Sequence, residues 1–274
     1  MARGASFAIN SYSYTLHHTA LDCVRRWVAE GSSEFELMMY PGHLWPGDLD
    51  TTGRRTLRAD IEALGARVIT LNMPNVDLNV AGAAREMREY TLGLLEGVVG
   101  LAGDLGAEGV VIGLGKANPL FPAPTERLTG HFYAALDRLL PLANRAGTAL
   151  WVENMPFSFI PSADGIMTAL DRYGAPEIGV VYDVANGVFI GEDAGDGLRR
   201  VTSRLKLVHL SDTGRQAYRH DPVGRGVVPF ADLPPVLVEI GHARRPVLEI
   251  ISTDADRDIA DSADRLLAMG WGRP

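Results

Sequence analysis

Residues 109–154 decide the fold, and they read GVVIGLGKANPLFPAPTERLTGHFYAALDRLLPLANRAGTALWVEN. The β-branched run at 109–113 predicts a buried strand, and apolar residues at three- and four-residue spacing over 128–146 predict a helix. Gly147 follows that helix, where a left-handed C-cap favours glycine, and the segment 149–154 predicts the next strand. A strand, a helix and a second strand in this order predict parallel pairing through a right-handed crossover.

The same alternation extends along the whole chain. Strands are predicted at 7–14, 35–40, 67–72, 109–113, 149–154, 179–184, 205–210 and 246–251. Helices are predicted at 20–29, 57–64, 86–105, 128–146, 163–173, 198–205, 231–240 and 259–269. Eight strand–helix units in about 250 residues are typical of a (β/α)8 barrel, so we expect one α/β barrel domain over residues 1–274. The alternative is an open, doubly wound sheet that binds a nucleotide, but the segment 10–14 at the end of the first strand contains no glycine.

Composition excludes several classes of protein. With 46% hydrophobic and 22% charged residues in 274, the chain is expected to fold. The 26 basic and 34 acidic residues give a net charge of −8, which argues against a nucleic-acid partner bound by phosphate neutralisation. The single cysteine, Cys23, excludes an internal disulfide and a multi-cysteine zinc site. Neither a membrane span nor a signal-peptide pattern is predicted, so we expect a cytoplasmic protein without a membrane partner.

Four predicted strands carry a charged or imidazole side chain among apolar neighbours. These are Glu153 in LWVEN, Asp183 in VVYDV, His209 in LVHLS and Glu249 in VLEII. Each one alone would be explained as a helix cap, an ion-pair partner or a hydrogen-bonded core residue. The active site of a barrel lies at the C-terminal ends of its strands, so we expect the four to converge there. Three buried carboxylates repel one another, and a moderately hard divalent cation such as Mn²⁺, Mg²⁺ or Co²⁺ would remove that conflict.

These segments resemble the sugar phosphate isomerase/epimerase superfamily of xylose isomerase-like TIM barrels. Their ligand pattern is most similar to the D-tagatose 3-epimerase type. The stretch 220–226, HDPVGRG, is also similar to a His-x-x-x-Gly-x-Gly loop that follows strand seven in the superfamily. The resemblance implies that Glu153, Asp183, His209 and Glu249 bind one divalent metal ion, with Mn²⁺ favoured and Mg²⁺, Co²⁺ or Zn²⁺ as alternatives. It also implies that Glu153 and Glu249 are the catalytic acid/base pair.

The activity implied by the resemblance is metal-dependent isomerisation or epimerisation of a sugar or a sugar-like keto-polyol. One glutamate would remove a proton to give an enediolate, and the other would return it. Two alternatives stay open: a metal-dependent dehydratase of an inosose or dehydroshikimate-like keto substrate, and a non-catalytic barrel that binds a polyol. The related trinuclear zinc endonucleases are disfavoured, because Asn72 and Asn186 stand where those enzymes have histidine ligands. Barrels of this superfamily often assemble as homo-oligomers.

Five residues are candidates for substrate binding. Arg215 matches a superfamily arginine that contacts substrate oxygens, with a solvated loop arginine as the alternative. Asn186 stands where the epimerases usually have a histidine, and its amide would hydrogen-bond the substrate. Asn72 is expected to line the pocket, and His220 either lines it or lies on a surface loop. Trp45 is expected either to stack against the C–H face of a sugar or to pack within its loop.

Two further residues bear on the pocket. Glu36, inside Phe35-Glu36-Leu37, is expected either to face the pocket or to pair with an arginine. Phe159 occupies a region where a second pocket glutamate is typical of the epimerases. The pocket is therefore expected to favour a less polar or modified substrate.

Overall fold

The strands form the barrel that the sequence predicts. A computed structural model describes residues 3–73 and 77–272. In it, eight parallel strands close in chain order, with the last paired to the first. The strands are β1 (Ala8–Asn10), β2 (Glu34–Met38), β3 (Arg67–Asn72), β4 (Gly109–Ile112), β5 (Ala149–Glu153), β6 (Gly179–Asp183), β7 (Leu205–Leu210) and β8 (Val247–Leu248). The fold class is thus confirmed as a (β/α)8 barrel.

Helices connect the strands on the outside of the barrel. They are α1 (Arg3–Ser6), α2 (Ala20–Val28), α3 (Thr51–Ala63), α4 (Arg85–Leu105), α5 (Thr125–Ala146), α6 (Ala163–Tyr173), α7 (Val184–Phe189), α8 (Ala194–Val201), α9 (Leu233–Glu239) and α10 (Ala255–Ala268). Among the residues described, none of these helices combines the length and the apolar character needed to cross a membrane.

Polar contacts set the boundaries that differ from the sequence prediction. Helix α3 begins at Thr51 rather than at 57, because the Asp50 carboxylate caps a first turn that has no apolar periodicity. Strand β1 ends at Asn10, whose side chain accepts a hydrogen bond from the Tyr12 N–H as the chain turns into a short 3-10 helix. Helix α7 was not predicted as a helix, and Asp183 caps its start.

A layer of apolar side chains fills the interior of the barrel on the N-terminal side of the strand ends. It consists of Ala8, Ile69, Val111, Trp151, Val181, Leu207 and Val247. Side chains between these positions, such as Val152, Tyr182 and Val208, belong instead to the larger core between strands and helices. Because strand side chains alternate with a period of two, the residue two positions beyond a member of this layer on β5, β6 and β7 also points into the barrel.

Gly109 makes room for the largest side chain of the interior layer. A Cβ atom at Gly109 would lie 2.6 Å from the Trp151 ring, which is closed in by the rest of the layer. We therefore expect Gly109→Ala to lower the free energy of unfolding by about 1–3 kcal/mol, measured by urea denaturation.

A matched control for this prediction is Gly93→Ala in α4. A Cβ atom at Gly93 meets nothing within 4 Å. Since alanine is also the better helix former, Gly93→Ala should raise the free energy of unfolding by up to about 1 kcal/mol. Equal effects of the two substitutions would contradict the steric explanation.

Candidate metal centre

Four polar side chains lie directly beyond the interior layer on four consecutive strands. They come two residues after Trp151, Val181, Leu207 and Val247, and they are Glu153, Asp183, His209 and Glu249. Asp183 and His209 are also direct partners in the register of β6 and β7. All four side chains are buried. Strand alternation therefore places them together at the C-terminal mouth of the barrel.

The four side chains form a compact cluster, which we call the quartet. One possible ligand atom from each lies within 4.8 Å of those from the others. His209 Nδ1 is 3.0 Å from Glu249 Oε2 and 3.3 Å from Glu153 Oε1. The structure thus brings together the residues that the sequence analysis assigned as metal ligands, and metal binding itself stays a prediction.

The two oxygens of Asp183 have different surroundings. Oδ1 accepts a hydrogen bond from the Asn186 N–H at 2.8 Å and so caps α7. Oδ2 is buried and has no hydrogen-bond partner among the described residues, with His220 Nδ1 3.6 Å away. A buried carboxylate oxygen without a partner costs free energy. A cation in the quartet would satisfy Oδ2, and three carboxylates with one imidazole are a suitable donor set for a divalent ion.

Burial and mutual charge shift the pKa values of the quartet. Burial raises the pKa of Glu153, and the negative charges of Asp183 and Glu36 raise it further, although His209 opposes this shift. Burial also raises the pKa of Glu249, to about 7. Burial alone would lower the pKa of His209, but the Glu36 and Glu249 carboxylates outweigh it and raise that pKa well above its usual value. The cluster therefore attracts positive charge, which either a proton on His209 or a divalent cation can supply.

Glu36 on β2 is a functional candidate whose role sequence reasoning left open. Its Oε1 accepts hydrogen bonds from Asn10 Nδ2 at 2.6 Å and Asn72 Nδ2 at 3.2 Å, and its Oε2 accepts one from Thr70 Oγ1 at 2.6 Å. His209 Nε2 lies 3.2 Å from Glu36 Oε1. These contacts place Glu36 inside the barrel beside the quartet, with no arginine among the partners described for it. The signal for it in the sequence was a carboxylate within an apolar strand.

The loop after β7 is held in place by the Asp212 carboxylate. It accepts hydrogen bonds from the backbone N–H groups of Thr213, Gly224 and Val228. Gly226 packs so closely that a Cβ atom there would lie 2.3 Å from the Thr213 carbonyl oxygen. The loop therefore folds back tightly against the strand end.

This loop brings His220 to the quartet. His220 Nδ1 is 3.5 Å from Glu249 Oε2 and shares a hydrogen bond of 3.0 Å with Ser211 Oγ. His220 Nε2 shares a hydrogen bond of 2.6 Å with the Tyr218 hydroxyl. Tyr218 packs edge-on against Phe157, with ring centroids 5.3 Å apart. The imidazole is thereby fixed next to a predicted catalytic glutamate.

A cavity of about 340 Å³ opens onto the quartet. Five residues predicted for the site line it: Glu153, Glu249, Asn72, Asn186 and His220. Most of the remaining side chains in the wall are apolar, and these are Met38, Met73, Leu78, Val80, Leu95, Met155, Pro156, Phe157 and Ile251. A substrate in this cavity would therefore make many more apolar than polar contacts with the wall.

Two residues predicted to bind substrate lie away from this cavity. Arg215 is exposed on the loop after β7, and Trp45 is half-buried and packs against the core between strands and helices. Phe159, in the region where the resemblance implies a second pocket glutamate, also packs against that core. The structure thus brings Asn72, Asn186 and His220 to the cavity and leaves Arg215 and Trp45 outside its wall.

Comparisons with known proteins agree with this architecture. The family described as xylose isomerase-like TIM barrels matches residues 25–269. A search of curated proteins finds no significant match. Among solved structures, a D-tagatose 3-epimerase-like protein superimposes with a TM-score of 0.82 at 17% identity, over 96% of each chain.

Two further structures extend the comparison. The 3-keto-D-glucoside 4-epimerase of E. coli has a TM-score of 0.78 at 17% identity, over 96% of this chain and 99% of its own. An L-ribulose 3-epimerase has a TM-score of 0.80 at 20% identity, over 97% of this chain and 93% of its own. At these identities the likeness is one of fold.

Proposed function

This chain belongs to the xylose isomerase-like TIM barrel family, and on that premise we propose that it is a metal-dependent sugar epimerase or isomerase. The observation that carries the proposal is the buried quartet, whose four ligand atoms lie within 4.8 Å of one another at the base of an open cavity. The similar structures include epimerases of a ketose and of a keto-glucoside, which supports a sugar-like keto substrate.

Glu153, Asp183, His209 and Glu249 would hold one divalent ion, with Mn²⁺ favoured and Mg²⁺, Co²⁺ or Zn²⁺ as alternatives. When bound, such an ion supplies Lewis acidity to a substrate carbonyl, which makes the neighbouring C–H more acidic. The unpartnered Asp183 Oδ2 supports a cation at this place.

Glu153 and Glu249 are the proposed proton-transfer residues. Both line the cavity, and β5 and β8 are separated by two strands of the barrel, so the two carboxylates would reach a bound substrate from different strands. One carboxylate would remove the proton next to the carbonyl, and the other would return a proton to the opposite face. Asn186 Nδ2 lies 3.5 Å from Glu153 Oε1, which helps to orient that carboxylate.

The apolar cavity wall supports a substrate that is less polar than a free hexose over part of its surface. Sugars present C–H faces to such walls, and Asn72, Asn186 and His220 would supply polar contacts. Substrate contacts by Arg215 and Trp45 rest on the resemblance alone. The one free cysteine, Cys23, supports a reducing cytoplasm as the proposed location.

Metal removal is the first test. We expect dialysis against EDTA to abolish turnover of a panel of ketoses, inososes and 3-keto-glycosides, and Mn²⁺ to restore it, because the Lewis acid is needed to acidify the substrate C–H. Turnover would be followed by NMR, with the metal content measured in the same samples. Full turnover by protein that contains no metal would contradict the proposal.

The same assay in D₂O separates the chemical alternatives. Epimerisation or isomerisation incorporates deuterium into the recovered sugar without loss of water. Dehydration of an inosose or dehydroshikimate-like substrate produces a conjugated product with a new ultraviolet absorbance. A barrel that only binds a polyol gives neither signal with any member of the panel.

A further inference from the structure

We propose that Glu36 is a positioning residue for His209: its carboxylate accepts the Nε2 proton of the imidazole and thereby directs the Nδ1 lone pair toward the other members of the quartet. This inference rests on the proposed metal site, and it assigns a role to a fifth buried side chain that is not itself a ligand. Two observations and the chemistry of the imidazole ring lead to it.

The two nitrogens of His209 face different groups. Nδ1 faces the quartet, 3.0 Å from Glu249 Oε2 and 3.3 Å from Glu153 Oε1. Nε2 faces away from these two, is buried, and lies 3.2 Å from Glu36 Oε1. Nε2 completes no hydrogen bond with the residues described. Glu36 is thus close enough to accept a hydrogen bond from a proton on Nε2.

Glu36 is itself held firmly. Its side chain is fully buried, and three donors from the neighbouring strands β1 and β3 fix its two oxygens: Asn10, Thr70 and Asn72. Asn10 Nδ2 also lies 3.5 Å from Glu249 Oε1. The same amide therefore contacts both Glu36 and a predicted metal ligand. A carboxylate anchored in this way can impose an orientation on the imidazole beside it.

The tautomer of His209 decides whether it can be a ligand. A neutral imidazole carries its proton on one nitrogen only, and the other nitrogen has the lone pair that binds a metal. A carboxylate at Nε2 favours the proton there, leaves Nδ1 free, and makes it a more basic ligand. A proton on Nδ1 would instead be donated to Glu153 or Glu249 and would block the quartet.

The alternative is that Glu36 only ties β1, β2 and β3 together through its hydrogen bonds. That purely structural role predicts a loss of stability on substitution and no change in metal affinity. The two roles are therefore distinguished by measuring metal binding and thermal stability separately.

The test compares Glu36→Gln and Glu36→Leu with Tyr133→Phe. The control removes a hydrogen bond from the Tyr133 hydroxyl to the Ala169 carbonyl oxygen, which joins the outer helices α5 and α6 away from the quartet. Binding of Mn²⁺ to the metal-free proteins is measured by titration calorimetry, and Tm is measured on the same samples. We expect the Kd for Mn²⁺ to rise about 10–100-fold in Glu36→Leu, because loss of such a partner weakens a metal site by this factor. Glu36→Gln should show a smaller rise, because its amide oxygen can still accept the Nε2 proton, and Tyr133→Phe should bind Mn²⁺ as the wild type does.

A spectroscopic readout on the wild-type protein does not depend on any variant folding. In the protein loaded with diamagnetic Zn²⁺, the long-range 15N–1H spectrum should show His209 protonated at Nε2 and bound through Nδ1, with the assignment made from the spectrum of His209→Ala. A proton on Nδ1 would overturn the proposal. Unchanged Mn²⁺ affinity in both folded Glu36 variants would overturn it as well. If the wild type binds no divalent metal, the proposed function fails and this inference with it.

Discussion

Replacing either Glu153 or Glu249 by glutamine should lower kcat by about 10²–10⁴-fold, because each carboxylate transfers a proton that an amide cannot accept. Both side chains line the cavity and both belong to the quartet, so each substitution also removes one negative ligand oxygen. The measurement is the rate of epimer or isomer formation with saturating Mn²⁺. Full activity in either variant would refute the two-carboxylate mechanism.

Deuterium exchange adds a sharper signature to this prediction. In D₂O, a variant that keeps one carboxylate should still exchange the proton on the face which that carboxylate serves. Glu153→Gln and Glu249→Gln should therefore label opposite epimers, whereas the wild type labels both. Glu177→Gln is a matched control, since Glu177 is exposed just before β6 at the opposite end of the barrel, and it should retain wild-type turnover.

His209→Ala should abolish stabilisation of the fold by metal. For the wild type, Mn²⁺ at 100 times its Kd should raise the free energy of unfolding by about 2.7 kcal/mol, because a ligand that binds only the folded state stabilises it by mass action. Without the imidazole, the site loses a proposed ligand whose Nδ1 lies within 3.3 Å of two carboxylates, and this increase should largely disappear.

Urea denaturation with and without Mn²⁺ checks this second prediction, together with the metal content of each purified protein. His131→Ala is the control, because His131 lies on the outer helix α5. That variant should keep both its metal content and the full increase in stability. A His209→Ala protein that is stabilised by Mn²⁺ as strongly as the wild type would exclude His209 as a ligand.

The quartet could be predicted from the sequence because it obeys a local rule. Glu153, Asp183, His209 and Glu249 each interrupt an apolar strand, and strand alternation together with barrel closure is enough to bring them to one level. Burial forces a polar residue in such a place to have partners, which made a shared cation the simplest explanation.

The role of Glu36 could not be derived in the same way. The sequence shows the same signal there, a carboxylate between apolar residues, but its partners Asn10, Thr70 and Asn72 lie on other strands. Only the barrel register and the direction of the His209 ring show that Glu36 lies beside the imidazole and not beside an arginine.

Loop residues were the hardest to place, for a related reason. Arg215 follows β7 in a loop whose path is set by Asp212 and by hydrogen bonds to residues up to 16 positions away. Trp45 packs into the core, because an apolar ring gains more from burial between helices and strands than from exposure at the rim. Neither set of contacts follows a periodic sequence pattern, so neither could be predicted from the sequence.

Asp183 has two structural roles, and they limit how this barrel can be re-engineered. Oδ1 caps the start of α7 and Asp183 also belongs to the quartet, so an insertion or deletion between Asp183 and Asn186 would disturb both the helix and the proposed metal centre. The segment that follows β4 lines the cavity at Gly113, Gly115 and Lys116 but contributes no member of the quartet. New substrate selectivity is therefore most readily introduced there, while the β6–α7 corner is best left unaltered in any library of variants.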